Sequence, residues 1–146
     1  MSGLFKHKIL ILLIIFSVVY WNTNPPHRFG FIRKGCIVYN RIPVILFDCF
    51  ISADGKLHLE SDLSKTANVN YWIDNHLFNA RSKGSHLLIV GTGFDNQKQI
   101  DFDQKQMKEI RENDFQIEYL PTRAAVARFN ELQTRENPPA ILLKVK

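Results

Sequence analysis

From Phe29 to about Leu59, short apolar runs alternate with turn residues. Cys36–Tyr39 and Val44–Phe47 are brief β-branched stretches, bounded by Gly35, Asn40, Pro43 and the Asp54-Gly55 turn, and this pattern predicts short strands. Lys56–Leu59 alternates polar with apolar residues, as a half-exposed strand does. Glu60–Asn70 is polar and reads as a loop, in which Asp62 or Ser64 can cap a following helix. Tyr71–Ala80 carries Trp72, Ile73, Leu77 and Phe78 at helical spacing, and Gly84 ends that segment.

The second half is more regular. His86–Val90 predicts a buried strand running into Gly91-Thr92-Gly93. Asp103 can cap a helix through Asn113, with Phe102, Met107 and Ile110 spaced for one buried face. Phe115–Leu120 alternates as a strand. Thr122 is placed to cap a further helix in which Ala125, Phe129 and Leu132 share a stripe. Pro138-Pro139 stops that helix, and Ala140–Val145 predicts a last strand. Hairpins followed by β-α-β-α-β imply an α/β domain: a single three-layer-type unit with a mixed β-sheet and about three helices.

The N-terminus breaks this pattern. Lys6-His7-Lys8 leads into Ile9–Trp21, where only Ser17 is polar. No small-x-small cleavage site follows, so the segment reads as an uncleaved anchor rather than a secretory signal, with Tyr20 and Trp21 as interfacial aromatics. A spanning helix wants about 20 apolar residues, which requires Leu4, Phe5 and the flanks to be recruited. The expectation is an N-terminal transmembrane helix over residues 1–21, a proline-stiffened linker over 22–28 and the α/β domain over 29–146. Arg28, Arg33, Lys34 and Arg41 follow the segment and outweigh Lys6 and Lys8, which keeps the domain on the cytoplasmic or matrix side.

Composition narrows the function classes. Apolar residues are 45% of the 146-residue chain and charged residues 23%, the balance of one folded globular domain. The formal charge of +5 includes the two lysines before the apolar run, and the remaining cations are scattered, which excludes a nucleic-acid footprint. A hairpin turning at Asn40-Arg41 sets Cys36 opposite about position 45, out of disulfide register with Cys49. Two free thiols suit a reducing compartment.

Candidate chemistry is sparse. Gly91-Thr92-Gly93 suggests a phosphate turn, but a dinucleotide fingerprint wants a third glycine where Asn96 stands, and no Gly-Lys-Ser/Thr is present. The next helix starts near Asp103, too far along for its N-terminus to meet the turn. His7, His27, His58, His76 and His86 show no ligand spacing with each other or with the cysteines, so no metal and no cofactor is expected. No Gly-x-Ser-x-Gly elbow occurs, and Asp101 and Asp103 read as a turn and a cap rather than as a catalytic carboxylate pair. Leu120–Leu132 is more unusual: two alanines keep the helix thin, and Arg123 and Arg128 give it a positive edge.

Ile89–Gly93 followed by T-x-A-A-x-x-x-F-N at Thr122–Asn130, with the Gly35–Val44 opening, resembles the Mth938-like domain over about residues 29–145. Phe129-Asn130, where many bacterial members have Tyr-Asn, looks most like the mitochondrial branch, the complex I assembly factor 3 proteins. Arg123 stands where a Gly is common, Val126 where a Cys is, and Arg135-Glu136-Asn137 departs from Glu-Gly-Arg. The resemblance implies a non-catalytic assembly or interaction factor for respiratory complex I. Its partners would be other assembly factors or complex I subunits, with no nucleic acid. It also implies, with the anchor, a place at the mitochondrial inner membrane with the domain in the matrix, or at a bacterial inner membrane. The expected partner- or ligand-binding surface comprises Gly91, Thr92, Gly93, Thr122, Arg123, Arg128, Phe129 and Asn130. The alternative is a small-molecule-binding domain or enzyme that uses the groove between the glycine turn and the Thr122–Asn130 helix, where Thr92, Thr122, Arg123 and Asn130 would meet a carboxylate or phosphate.

Overall fold

The computed structural model of the chain describes residues 2–61, 63, 84–94, 100 and 102–145. Within these, α1 (Ser2–Thr23) is followed by β1 (Phe29–Arg33), β2 (Cys36–Tyr39), β3 (Ile42–Ile45), β4 (Asp48–Ile51) and β5 (Leu57–Glu60). Then come β6 (Leu87–Gly91), α2 (Gln104–Glu112), β7 (Gln116–Leu120), α3 (Thr122–Leu132) and β8 (Ala140–Leu143). The helix expected over Tyr71–Ala80, and the caps Asp62 and Ser64, lie outside the described residues.

The central sheet is mixed, in the order β5-β4-β8-β6-β7. Strand β6 runs parallel to both β7 and β8, while β4 is antiparallel to β5 and β8. Crossovers through α2 and α3 make the parallel pairs, as the predicted β-α-β-α-β order requires. The middle strands β4 and β8 are buried along their whole length because both faces of the sheet are covered. Phe50, Leu88, Val90, Ala140 and Leu142 point to one side, where they meet Ile110 of α2 and Phe115. Cys49, Ile51, Ile89, Ile141 and Leu143 point to the other, against Ala125, Val126 and Phe129 of α3 and against Ile37, Tyr39 and Val44. Each fully buried aliphatic side chain stabilises the fold by about 1.5–3 kcal/mol, so these two alternating sets account for much of the driving force.

The early strands do not join the central sheet. β1, β2 and β3 form a separate antiparallel sheet that lies beside α3 on the second face. The break comes at Leu46, whose φ of 58° turns the chain between β3 and β4. Its N–H donates to the Gly35 carbonyl at 2.9 Å. Within the hairpin, Cys36 pairs with Ile45 as the spacing predicts, and Asn40 and Arg41 both adopt positive φ (48° and 67°), which suits a tight two-residue turn. Both cysteines are free.

Two polar groups inside the fold stitch distant segments together. Asp48, fully buried, accepts the N–H of Leu63 and of Val145, each at 2.9 Å, and so fixes the C-terminal end to β4. Tyr39 donates its hydroxyl to the Gly55 carbonyl at 3.0 Å, and burial, helped by Asp54, pushes the phenol pKa up, so the donor proton is retained. At α2, Asp103 caps the helix as expected, in a reciprocal box with Gln106. Gln106, rather than Met107, is the buried companion of Ile110, because its side chain folds back to serve that box.

The N-terminal segment corrects the sequence reading. No helix among the described residues is long and apolar enough to cross a membrane. Helix α1 has 22 residues, but its apolar stretch, interrupted by Ser17, spans only Ile9–Trp21. At 1.5 Å per residue that is about 20 Å, against a hydrocarbon core of about 30 Å. The transmembrane helix is therefore not supported, nor is the membrane-anchored placement, mitochondrial or bacterial, that rested on it. Tyr20 and Trp21 are engaged with protein instead. Tyr20 donates to the Arg41 carbonyl at 2.7 Å, and the Arg41 guanidinium lies 3.8 Å above the Trp21 ring. Asn24, in the stretch read as linker, is buried, and its side-chain oxygen accepts the N–H of Phe31 at 3.1 Å.

The two thiols differ in environment. Cys49 is fully buried, and desolvation, with the Asp48 carboxylate adding to it, pushes its thiol pKa well up, whereas Cys36 is only half-buried. Titration of the native protein with a disulfide reagent is expected to modify Cys36 first and Cys49 only after denaturant is added. Equal rates for the two thiols in the native state contradict this packing.

Candidate functional site

The parallel strands β6, β7 and β8 all end at one edge of the central sheet, and Gly91-Thr92-Gly93 and the start of α3 meet there. Pro121 occupies the N-cap of α3 and, unlike the expected cap, Thr122 makes no capping bond. Thr122 is instead the first helical residue, with its side chain directed inward and fully buried. Its hydroxyl accepts the Gly93 N–H at 3.0 Å and donates to the Lys144 carbonyl at 3.0 Å. One oxygen thus joins the ends of β6 and β8 to α3.

Backbone bonds reinforce the same point. The Thr122 N–H donates to the Gly93 carbonyl at 3.1 Å, and the Lys144 N–H donates to the Gly91 carbonyl at 3.2 Å. Both the N–H and the hydroxyl of Thr92 donate to the Leu120 carbonyl. The two glycines have separate reasons. Gly93 has φ of 110°, a conformation open to glycine. A Cβ on Gly91 would stand 2.5 Å from a Leu143 methyl of the neighbouring β8, so its bare backbone is what makes room for that side chain, while the Ala125 Cβ of α3 would lie at an ordinary 3.5 Å. The adjacent alanines of α3 therefore split in function: Ala125 packs against the glycine turn, and Ala124 is exposed, as is Ala127.

Farther along α3, Phe129 is buried edge-on against Phe29 and Tyr39, with ring centroids 5.4 and 6.3 Å away. Asn130 clamps β1: it accepts the Phe29 N–H and donates to the Phe29 carbonyl, both at 2.8 Å. Arg128 lies on the outer side between Glu118 at 3.4 Å and Glu131 at 3.2 Å, and bonds to Glu131 and then Glu118 raise its pKa. Arg123 is exposed.

The eight predicted residues thus lie along one seam but do not converge on one cavity. Gly91, Gly93, Thr122 and Phe129 are buried, Thr92, Arg128 and Asn130 are half-buried, and Arg123 alone is fully on the surface. Thr122 and Asn130 direct their polar atoms to backbone, so they do not form the carboxylate or phosphate cradle of the alternative reading. An open depression of about 420 Å³ lies along α2, lined by Phe102, Gln104, Met107, Lys108, Arg111 and Glu112, and none of the eight lines it. Among the described residues no group of histidine, cysteine and carboxylate side chains is arranged to hold a metal ion. Sequence reasoning missed Asp48, which had one signal: a lone carboxylate inside an apolar strand. It also missed the Lys144 carbonyl, which had none, since backbone acceptors are the same in every residue.

Thr122 supports a sharp comparison of variants. Thr122→Val keeps the shape but removes the bond to the Lys144 carbonyl and takes from the buried Gly93 N–H its acceptor, a loss of roughly 1–3 kcal/mol for the orphaned donor. Thr122→Ser keeps the hydroxyl and is expected to lose less than half as much. Chemical denaturation of the three proteins checks this, and equal stability of the valine and serine variants refutes the bridging role.

No protein-family model and no curated protein matches the chain. Solved structures do. MT938 superposes with a TM-score of 0.59 at 17% identity, covering 82% of this chain and 97% of its own. The conserved hypothetical protein PH1505 from Pyrococcus horikoshii OT3 gives 0.60 at 15% identity, covering 82% and 98%. A protein described as an outer membrane protein from Bartonella henselae gives 0.62 at 13% identity, covering 84% and 97%. At such identities the likeness is one of fold, and the fold is the Mth938-like α/β fold that the glycine turn and the Thr122–Asn130 helix foreshadow.

Proposed function

We propose that the chain is a non-catalytic interaction factor, that it serves the biogenesis of respiratory complex I, and that its partners are other assembly factors or complex I subunits. The observation that carries the non-catalytic reading is the inward direction of the signature's polar groups. Thr92, Thr122 and Asn130 are engaged with backbone atoms of β7, β6, β8 and β1, so the seam holds layers together and presents no converging acid, base or nucleophile. What the seam offers to a partner is its rim: exposed Arg123 and the Arg128 guanidinium held between Glu118 and Glu131. A fixed rim of alternating charges around a rigid helix suits recognition of a protein surface of complementary charge pattern, where such charges set on-rate and specificity more than raw affinity. The choice of complex I rests on the resemblance of Thr122–Asn130 to the assembly-factor branch.

Affinity capture with the tagged full chain is expected to recover complex I subunits or assembly proteins, and recovery of neither sinks the proposal. Arg123→Glu combined with Arg128→Gln is expected to reduce that recovery severalfold while leaving stability within about 1 kcal/mol, since Arg123 is exposed and the ion pairs of Arg128 are open to solvent. A thermal-shift screen of metabolites, nucleotides and metals separates the enzyme reading: a ligand at a hundredfold excess over Kd stabilises by about 2.7 kcal/mol, and no such shift is expected.

A further inference from the structure

The outer edges of the two sheets are not finished alike. On β1, Asn130 accepts the Phe29 N–H and donates to its carbonyl, and Asn24 accepts the Phe31 N–H, so two asparagines occupy that edge. On β3, the Leu46–Gly35 bond and the antiparallel register leave Pro43 facing away from β2, and proline has no N–H to offer there. Both devices keep a further strand from joining.

Strand β5, outermost in the central sheet, has neither. The Ser52 N–H donates to the Lys56 carbonyl, so by antiparallel alternation His58 and Glu60 turn their backbone groups toward β4, and Leu57 and Leu59 turn theirs outward. Among the described residues the N–H and carbonyl groups of these two leucines have no partner. The Leu59 side chain is 52% exposed beside them.

We infer that β5 is a homodimerisation edge: two copies of the chain set their β5 strands side by side, antiparallel, about a two-fold axis at His58. The strand itself specifies its partner, because Lys56-Leu57-His58-Leu59-Glu60 is complementary to its own reverse. Leu57 of one copy pairs with Leu59 of the other on both sides of the axis, and every outward N–H of one strand meets an outward carbonyl of the other. Lys56 faces Glu60 at both ends, opposite charges directly across the pair. Glu60 has no ion pair of its own among the described residues, while Lys56 is held beside Asp54 at 3.2 Å, within reach of the same edge. Centring the pair on Leu57 or on Leu59 instead loses half of the leucine backbone bonds and breaks the Lys56–Glu60 match. The two-fold pairing uses up this edge in both copies, so it closes at a dimer with one continuous sheet.

Sedimentation of the full chain over a range of concentrations is expected to show a monomer–dimer equilibrium that ends at twice its 17.0 kDa mass. Glu60→Lys sets like charges across both ends and is expected to weaken the dimer severalfold. Adding Lys56→Glu reverses each pair without removing it and is expected to restore the dimer. In a Cys36→Ser background, oxidation is expected to link His58→Cys chains to one another, because the residues at the axis form a non-hydrogen-bonded pair with Cα atoms about 4.5 Å apart, inside disulfide range. Glu60→Cys chains are not expected to link to their like. A monomer at every concentration, an assembly larger than two, or a dimer indifferent to Glu60→Lys overturns the inference. Failure of Lys56→Glu to restore the dimer, or Glu60→Cys chains that link more readily than His58→Cys chains, overturns it as well.

Discussion

The hydroxyl of Thr122 is the point on which the architecture turns. It is buried at the one edge where three parallel strands end, and it answers a donor on the β6 turn and an acceptor just past β8 at the same time. Without it, α3 could slide along the sheet with its apolar stripe still buried, because dispersion and hydrophobic burial are not directional. The two hydrogen bonds set the phase of the helix. Once the phase is set, Ala125 comes to rest over the missing side chain of Gly91, Phe129 reaches Phe29 and Tyr39, and Asn130 meets the backbone of Phe29. The hairpin sheet is held by these last contacts, and the base of α1 is held by the hairpin sheet. The order of dependence therefore runs from a threonine at position 122 to a helix at the N-terminus.

Much of this was legible from local pattern. The unbroken apolar runs Leu87–Val90 and Ala140–Leu143, read with the β-α-β-α-β order, imply strands buried on both faces, and that is where the middle of the sheet lies. Asp103 announces α2 because capping is local, with donor and acceptor three residues apart. The hairpin register followed from its turn. What could not be read is what depends on distant partners. Thr122 looks like a cap because threonine before an apolar stripe usually is one, yet its real partners are 29 and 22 residues away. The division into two sheets hinges on a positive φ at Leu46, a leucine with no local signal for that conformation. Gln106 carries no apolar signal for the core, although a capping box can bury a glutamine by satisfying it.

The N-terminal helix shows the same limit from the other side. Hydropathy is a property of each residue and says only that Ile9–Trp21 avoids water. Among the described residues no helix is long and apolar enough to cross a membrane, and tertiary contact explains the aromatic pair. Trp21 and Tyr20 match an interfacial belt by composition, but Arg41, in the turn of the hairpin, supplies both a cation for the indole and a carbonyl for the phenol. A sequence reading that assigns an apolar segment to lipid has no means of seeing a partner that folds onto it.

These relations also decide where function should be sought. A signature whose glycines permit close packing and whose polar atoms meet backbone marks a fold, and a fold can host many functions. Solved proteins at 13–17% identity share the three layers with this chain, which is what a shared internal geometry requires, and the likeness extends no further than that geometry. Whatever distinguishes this protein therefore lies outside the seam. Two places stand out: the rim where Arg123 and Arg128 surround the start of α3, and the open edge of β5. One offers fixed side-chain charges and the other outward backbone groups, so they are suited to different contacts and need not compete. The separation follows from the sheet itself, since α3 is pinned at the ends of β6 and β8 while β5 lies at the far margin, beyond β4.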